Sequence, residues 1–223
     1  MYFLAIDTAT NSGGVALARN AEVVGMLMTK TPLRYSERLI ENIEVLLERF
    51  TLNISDIQCF AAASGPGSFT GLRIGMASVK AFCQSLGRPG IAVPTLEALA
   101  YRFRHTSPRV APMVDARRQQ IYGGLYECRE GEVRVLRPDQ ASSPAEWLRG
   151  LPPEPCLFVG DGAQMYASAV AAARPSDRLI RSDNRILEQL CQLAYHRFTR
   201  GEVSEASELT VNYVRPSDAV PSR

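Results

Sequence analysis

Short apolar runs divided by polar turns open the chain, and they predict a small antiparallel sheet. Runs at 2–6, 15–18 and 23–28 predict three strands in a meander. Apolar positions at helical spacing then predict a helix over 36–50, with Ser36 as its N-cap. A strand at 59–63, a helix ending at 86, a strand at 90–94 and a helix over 95–103 follow. This order predicts an α/β fold whose sheet has three antiparallel strands extended by parallel ones.

The second half of the chain repeats this pattern. Strands are predicted at 110–115, 120–126, 132–136 and 156–159. One helix is predicted to start at 144, a second to end at 173 and a third to span 186–198. A strand that ends in aspartate, followed by a turn and another strand, occurs at Asp7 and again at Asp115. We therefore predict two subdomains of related topology, residues 1–105 and 106–215, followed by a loose tail at 216–223.

A glycine-rich segment at 64–75 joins a predicted strand to the second helix, and it leaves three interpretations open. Its glycines and the helix N-terminus, capped by Ser68 or Thr70, could cradle an anion. Gly71 and Gly75 lie one turn apart and could form a bare strip for a partner helix. The segment could also be a turn without a ligand, since it lacks the lysine of a P-loop.

The helix after these glycines is apolar nearly all round, so we expect it to be sandwiched inside the protein or covered by a partner. The two aspartates allow two interpretations. Asp7 and Asp115 could together hold a metal-nucleotide, or each could cap its own turn. The pair Arg117 and Arg118 could touch phosphate, although such pairs are more often solvated turn charge.

Composition narrows the class of protein. The chain has 223 residues, 46% hydrophobic and 22% charged, which is typical of a soluble globular protein. A net charge of +2 is too small to indicate nucleic-acid binding by itself. There is no run of about 18 apolar residues and no basic leader, so we expect neither a membrane span nor a signal peptide. Five dispersed cysteines favour buried thiols and a cytoplasmic location.

Four segments carry a resemblance to a known family. They are residues 4–10 (Leu-Ala-Ile-Asp-Thr-Ala-Thr), 65–75 (Gly-Pro-Gly-Ser-Phe-Thr-Gly-Leu-Arg-Ile-Gly), 93–99 (Val-Pro-Thr-Leu-Glu-Ala-Leu) and 115–117 with Tyr122. They closely resemble the TsaB (YeaZ) family. The resemblance implies a two-subdomain ASKHA fold (actin/hexokinase/Hsp70-like, ribonuclease H-like) with mixed sheets.

The resemblance also implies a function. TsaB proteins act in forming N6-threonylcarbamoyladenosine at position 37 of tRNAs that read ANN codons. In that pathway TsaD transfers the threonylcarbamoyl group, TsaE is an ATPase, and TsaB binds and activates TsaD without chemistry of its own. The implied partners are TsaD directly, TsaE within the complex, tRNA through the complex only, and a second copy when the chain is alone.

Site residues follow from the same resemblance. No tightly bound cofactor is implied, but ATP or ADP could lie at the TsaB–TsaD interface. Candidates for a degenerate nucleotide cleft are Asp7, Thr8, Thr10 and Asp115. Candidates for the partner interface are Ser36, Leu39, Ile40, Ile43, Leu47, Phe69, Gly71, Leu72, Arg73, Gly75, Met76 and Val79.

Two positions argue against metal chemistry of the TsaD type. TsaD relatives carry a metal-binding histidine pair where this chain has Thr95 and Leu99. The alternative hypothesis is an autonomous ATP-dependent enzyme of the ASKHA class that uses Asp7 and Asp115.

Overall fold

The structure of the chain is a computed structural model that describes residues 1–29 and 35–215, with side chains described for 1–29 and 38–215. The chain divides into two compact units. Unit 1 comprises Met1–Thr95 and Arg185–Asn212, and unit 2 comprises Leu96–Asn184 and the segment from Tyr213 onward. The predicted loose tail at 216–223 lies outside the described residues.

The secondary structure alternates strands and helices along the described chain. The strands are β1 (Tyr2–Asp7), β2 (Gly14–Arg19), β3 (Glu22–Met28), β4 (Ile57–Gly65), β5 (Gly90–Pro94), β6 (Arg109–Asp115), β7 (Ile121–Arg129), β8 (Glu132–Ser142), β9 (Leu157–Val159) and β10 (Arg178–Leu179). The helices are α1 (Tyr35–Arg49), α2 (Phe69–Leu86), α3 (Thr95–Tyr101), α4 (Pro144–Arg149), α5 (Asp161–Met165), α6 (Ala167–Ala173) and α7 (Leu187–Thr199).

Each unit contains one five-stranded mixed sheet, and the two sheets have the same topology. The order in unit 1 is β3-β2-β1-β4-β5, and in unit 2 it is β10-β9-β6-β7-β8, the same arrangement read from the other end. In both sheets the first three strands form an antiparallel meander and the last two run parallel to the first. The predicted α/β architecture and the related topology of the two halves are therefore confirmed.

The division of the chain differs from the predicted boundary at residue 105 and from the predicted second subdomain 106–215. Helix α3 from Leu96 onward falls in unit 2, and α7 falls in unit 1. The side chains explain the place of α7, because the buried Phe3 ring of β1 meets Tyr195 and Phe198 edge to face, with centroids 5.7 Å and 5.3 Å apart. Such long-range packing leaves no local signal in the sequence.

Smaller differences have local causes. The helix predicted through 173 is interrupted at Tyr166, which divides α5 from α6. Strand β8 continues through Pro138 to Ser142, which an edge strand tolerates because proline's missing N–H can face away from the ladder. The two-residue strand β10 is too short for a hydrophobic pattern to reveal. All five cysteines are buried free thiols, as predicted.

Helix α2 is fixed to the turn after β1 through its glycines. Ser68 is the N-cap and accepts a hydrogen bond from the Gly71 amide at 3.2 Å, as the sequence predicts. The Thr8 hydroxyl donates to the Gly71 carbonyl at 2.6 Å. A Cβ on Gly71 would lie 1.8 Å from the Thr8 carbonyl oxygen, and one on Gly75 would lie 2.5 Å from the Thr8 hydroxyl.

The predicted bare glycine strip is therefore wrong. The surface of Gly71 and Gly75 is covered by Thr8 of the same unit, so no second helix can approach it. Two glycines are needed here because the helix backbone lies against the backbone of the β1 turn. The glycine segment fastens α2 to its own sheet.

A Gly71→Ala substitution should destabilise the protein by about 2 kcal/mol or more, because the new methyl group forces α2 away from Thr8. Gly87→Ala is the matched control. Its added Cβ meets no atom within 4 Å, so only the cost of its left-handed backbone, about 1 kcal/mol, should appear. Urea unfolding of the three proteins measures both, and equal losses would contradict the contact with Thr8.

A half-buried acidic group lies in unit 2 where β7 meets β8. The Tyr126 hydroxyl donates to the Asp139 carboxylate at 2.5 Å, and Tyr126 is buried. Burial raises the pKa of Asp139 to about 6, the hydrogen bond from Tyr126 opposes this shift, and the charge of Glu97 adds to it. The ionised carboxylate therefore costs the folded state stability above pH 6.

An Asp139→Asn substitution should stabilise the protein at pH 7.5 by about 1–3 kcal/mol. The sign follows because the folded pKa lies above the unfolded value of about 3.9, so the wild-type chain gains stability as the pH falls through 6. The difference between the two proteins should therefore shrink towards pH 5. Urea unfolding at both pH values tests this, with the exposed Glu132→Gln on the same strand as control. A variant less stable than wild type at pH 7.5 would contradict the assignment.

Candidate functional site

The first aspartate turn, in unit 1, is closed by its own backbone. The Asp7 side chain is fully buried and accepts hydrogen bonds from the amides of Ala9 (2.9 Å) and Thr10 (3.2 Å) and from the Thr10 hydroxyl (2.6 Å). Burial raises the pKa of Asp7, and these three donors oppose the shift. Thr8 is also buried, and its hydroxyl is bonded to Gly71. This geometry matches the interpretation of Asp7 as the cap of its own turn.

The second aspartate turn, in unit 2, is more open. Asp115 is half-buried, and its carboxylate accepts a hydrogen bond from the Arg117 amide at 2.8 Å. Its own amide donates to the carboxylate of Asp161 at 2.9 Å. Asp115 therefore also caps its turn, but the residues that follow it, Arg117, Arg118 and Gln119, are exposed.

These exposed residues have an unusual backbone. Arg117, Arg118 and Gln119 have φ values of 60°, 51° and 60°, three consecutive side chains in the left-handed region. Each such residue costs about 1–2 kcal/mol relative to an ordinary conformation. The Arg215 guanidinium helps to hold the turn by donating to the Ala116 carbonyl (3.2 Å) and to the Gln120 side chain (3.1 Å). No sequence pattern indicated this conformation.

The predicted partner-interface residues separate into two groups. Most of them are buried in the chain itself and cannot touch a partner without rearrangement: Leu39, Ile43, Leu47, Gly71, Leu72, Gly75, Met76 and Val79. Five of them, Leu39, Ile43, Leu47, Met76 and Val79, belong to the hydrophobic core of unit 1, so their assignment to an interface stays a prediction that their burial does not favour. Ile40 and Arg73 are exposed and Phe69 is half-buried, while the side chain of Ser36 lies outside the described set.

The outward face of α2 is different from the predicted one. It carries Arg73, Ala77 and Ala81, each one helical turn from the next and all exposed. The Arg73 guanidinium lies 3.9 Å from the centre of the Phe69 ring. On α1, which contacts α2, Ile40 is 49% exposed. Sequence analysis missed the two alanines, although their spacing opposite Gly75 and Val79 would have placed them on the outer side.

The positions that correspond to the TsaD histidine pair are both buried. Leu99 offers no ligand atom, and the buried Thr95 hydroxyl has no hydrogen-bond partner among the described residues. Within the described part of the chain, no group of three or more His, Cys, Asp or Glu side chains is arranged to hold a metal ion. Over the same residues, every helix is too short or too polar to cross a membrane.

Comparison with known proteins identifies relatives over most of the chain. Residues 18–218 match the family model of TsaD, described as tRNA N6-adenosine threonylcarbamoyltransferase. The tRNA threonylcarbamoyladenosine biosynthesis protein TsaB of Bacillus subtilis is 36% identical over 76% of this chain and 75% of its own length. The solved structure of YeaZ from Pseudomonas aeruginosa is 28% identical and superposes with a TM-score of 0.81, over 95% of this chain and 99% of that one.

A more distant structure shows the fold alone. The ROK hexokinase of Thermus thermophilus shares 12% identity and a TM-score of 0.53, over 89% of this chain and all of its own. This likeness confirms the predicted ASKHA fold. The matched family model and the closer relatives show that the chain belongs to the TsaD-related family and, within it, to the TsaB (YeaZ) proteins of tRNA threonylcarbamoyladenosine biosynthesis.

Proposed function

We propose that the chain is a non-catalytic partner that binds and activates a TsaD-type transferase through the outward face of α2 and the adjoining part of α1. The observation that carries this proposal is the exposed stripe of Arg73, Ala77 and Ala81. It replaces the glycine strip as the surface on which a partner helix can lie.

The composition of this stripe is unusual for a helix that faces water. Solvent-exposed helix faces are normally covered by charged side chains, as on α1, where Glu41, Glu44 and Glu48 are exposed. Helix α2 has only two charged residues in 18, Arg73 and Lys80. Two exposed alanines one turn apart leave room for another backbone to approach closely. This surface therefore suits a second helix better than it suits solvent.

The exposed Ile40 of α1 and the Arg73–Phe69 pair of α2 supply larger side chains than the alanines. An exposed isoleucine adds buried apolar area when covered, worth roughly 25 cal/mol per Å². Arg73 is already stacked on Phe69, so its guanidinium is held in place to meet a carboxylate or a carbonyl of the partner. Aromatic and arginine side chains of this kind often dominate the energy of an interface.

The absence of catalysis is supported by the closure of the first aspartate turn. A carboxylate that is fully buried and accepts three hydrogen bonds from its own turn must be released before it can bind a metal-nucleotide. Leu99 cannot replace a histidine ligand. In this proposal the TsaD-type partner performs the transfer, and fold is kept while chemistry is lost.

The remaining members of the assembly belong to the same proposal. TsaE, an ATPase, joins within the complex, and tRNA is bound by the complex. ATP or ADP lies at the interface with the TsaD-type partner, and two copies of this chain pair through the α2 face when that partner is absent.

An Ala77→Arg substitution should abolish co-elution with the TsaD of the same organism in size-exclusion chromatography, because a long charged side chain fills the space meant for a helix. Since Ala77 is exposed, the variant should keep the wild-type unfolding midpoint. The matched control is Ala172→Arg, an exposed alanine on α6 of unit 2, which should co-elute normally. Normal pairing by Ala77→Arg would remove α2 from the interface.

Titration of Mg-ATP into the chain alone should give no binding heat below about 1 mM nucleotide, since Asp7 is occupied by its own turn. Isothermal calorimetry measures this, with the complex of the chain and its TsaD-type partner as the comparison, since the proposal places the nucleotide at their interface. Micromolar binding that disappears in Asp115→Asn would instead favour the autonomous ATP-dependent enzyme.

A further inference from the structure

The turn between β6 and β7 presents two arginines on a fixed support. Arg117 and Arg118 are exposed, and their backbones lie in the left-handed region that favours glycine or asparagine. The turn is nevertheless held at several points. The Asp115 carboxylate accepts from the Arg117 amide, the Gln120 amide donates to the Arg117 carbonyl at 3.0 Å, and Arg215 clamps the turn from the side.

A turn that served only to reverse the chain would be more favourable with glycine at these positions. The chain instead places long cationic side chains where they carry a conformational cost. Strained backbone that is held by its surroundings is concentrated at binding sites. The strained backbone therefore holds the two arginine side chains in a fixed position, where they can meet a ligand.

The charges nearby favour an anion. Among the described residues no carboxylate lies within ion-pair distance of the Arg117 guanidinium, whereas Arg102 is paired with Asp183 at 2.8 Å. The acids at this edge, Asp115 and Asp161, accept hydrogen bonds from the backbone amides of Arg117 and Asp115 and keep their negative charge, but they are fewer than the exposed arginines. Strand β10 runs parallel to β9, and β9 to β6, so the exposed Arg181 after β10 lies at the same edge of the sheet.

Phosphate is the anion that fits adjacent guanidinium groups best. Each arginine can form two parallel hydrogen bonds to one phosphate, and neighbouring arginines can engage successive phosphates of a polyanion. The relatives of this chain are named for the biosynthesis of a modified tRNA nucleoside. RNA is thus the polyphosphate that its pathway supplies.

We propose that the β6–β7 turn binds the phosphate backbone of RNA, with Arg117 and Arg118 as the contacting side chains. This inference rests on the proposed function, since it needs the chain to belong to a complex that acts on tRNA. It goes beyond that function because it gives this chain a direct RNA contact. The contact is independent of base sequence, since it involves backbone phosphates only.

The test measures binding of a fluorescently labelled tRNA transcript to the complex with TsaD, by anisotropy, over salt concentrations of about 50–200 mM. The double variant Arg117→Gln/Arg118→Gln should lower the slope of log K against log salt by about 2, since each phosphate contact contributes about 0.9. Affinity at about 100 mM salt should fall roughly tenfold or more, equally for tRNAs that do and do not read ANN codons.

Two controls separate charge from fold. Arg134→Gln/Arg149→Gln removes two exposed arginines of unit 2 from other places and should leave the slope unchanged. Arg117→Lys/Arg118→Lys keeps the charge, so it should keep most of the slope while losing the paired hydrogen bonds. Each variant is first compared with wild type by thermal unfolding.

An unchanged slope and affinity in the Gln double variant would overturn the inference. It would also fail if that variant lost affinity for free ATP and kept its affinity for tRNA, because the ligand would then be a nucleotide. Co-elution with TsaD distinguishes the two proposals: a Gln variant that pairs normally but binds tRNA like wild type refutes the RNA contact and leaves the docking surface intact.

Discussion

The contact between Thr8 and Gly71 determines how unit 1 can be used. The Thr8 hydroxyl bonds the Gly71 carbonyl, and its backbone lies where any larger residue would place a Cβ. This contact fixes the rotation of α2 about its axis. Because the glycine side then faces the sheet, the alanine side faces outward, and the surface available to a partner is set by a buried hydrogen bond on the opposite face.

The two halves share a topology but use their aspartate turns differently. In unit 1 the turn after β1 lies beneath α2, and the Asp7 carboxylate is sealed from solvent by its own amides. In unit 2 the turn after β6 is exposed, basic and left-handed. The two units therefore share their strand order, which depends on the hydrophobic pattern, and differ in their turns, which carry little of the core.

Local features of the sequence predicted most of the fold. Strand β1, helix α1, the Ser68 cap and the repeated strand-Asp-turn arrangement all depend on residues close together in the chain, so pattern alone was sufficient. The rotation of α2, the return of α7 to unit 1 and the left-handed run at Arg117 depend on distant partners: Thr8, Phe3 and Arg215. Most of the residues predicted for the partner interface are buried for that reason. The sequence showed that α2 has an excess of apolar residues. It did not show which face of the helix packs against the rest of unit 1.

The proposed protein contact and the proposed anion contact involve residues that have nothing in common. Ala77 and Ala81 belong to a helix of unit 1 with few charged residues, and Arg117 and Arg118 belong to an exposed basic turn of unit 2. The small uncharged side chains of Ala77 and Ala81 allow the close approach of a helix, whereas the guanidinium groups of Arg117 and Arg118 suit phosphate. Each proposed surface is thus better suited to its own ligand than to the ligand of the other. A subunit with two such surfaces binds a protein and a nucleic acid at separate sites, without competition between them.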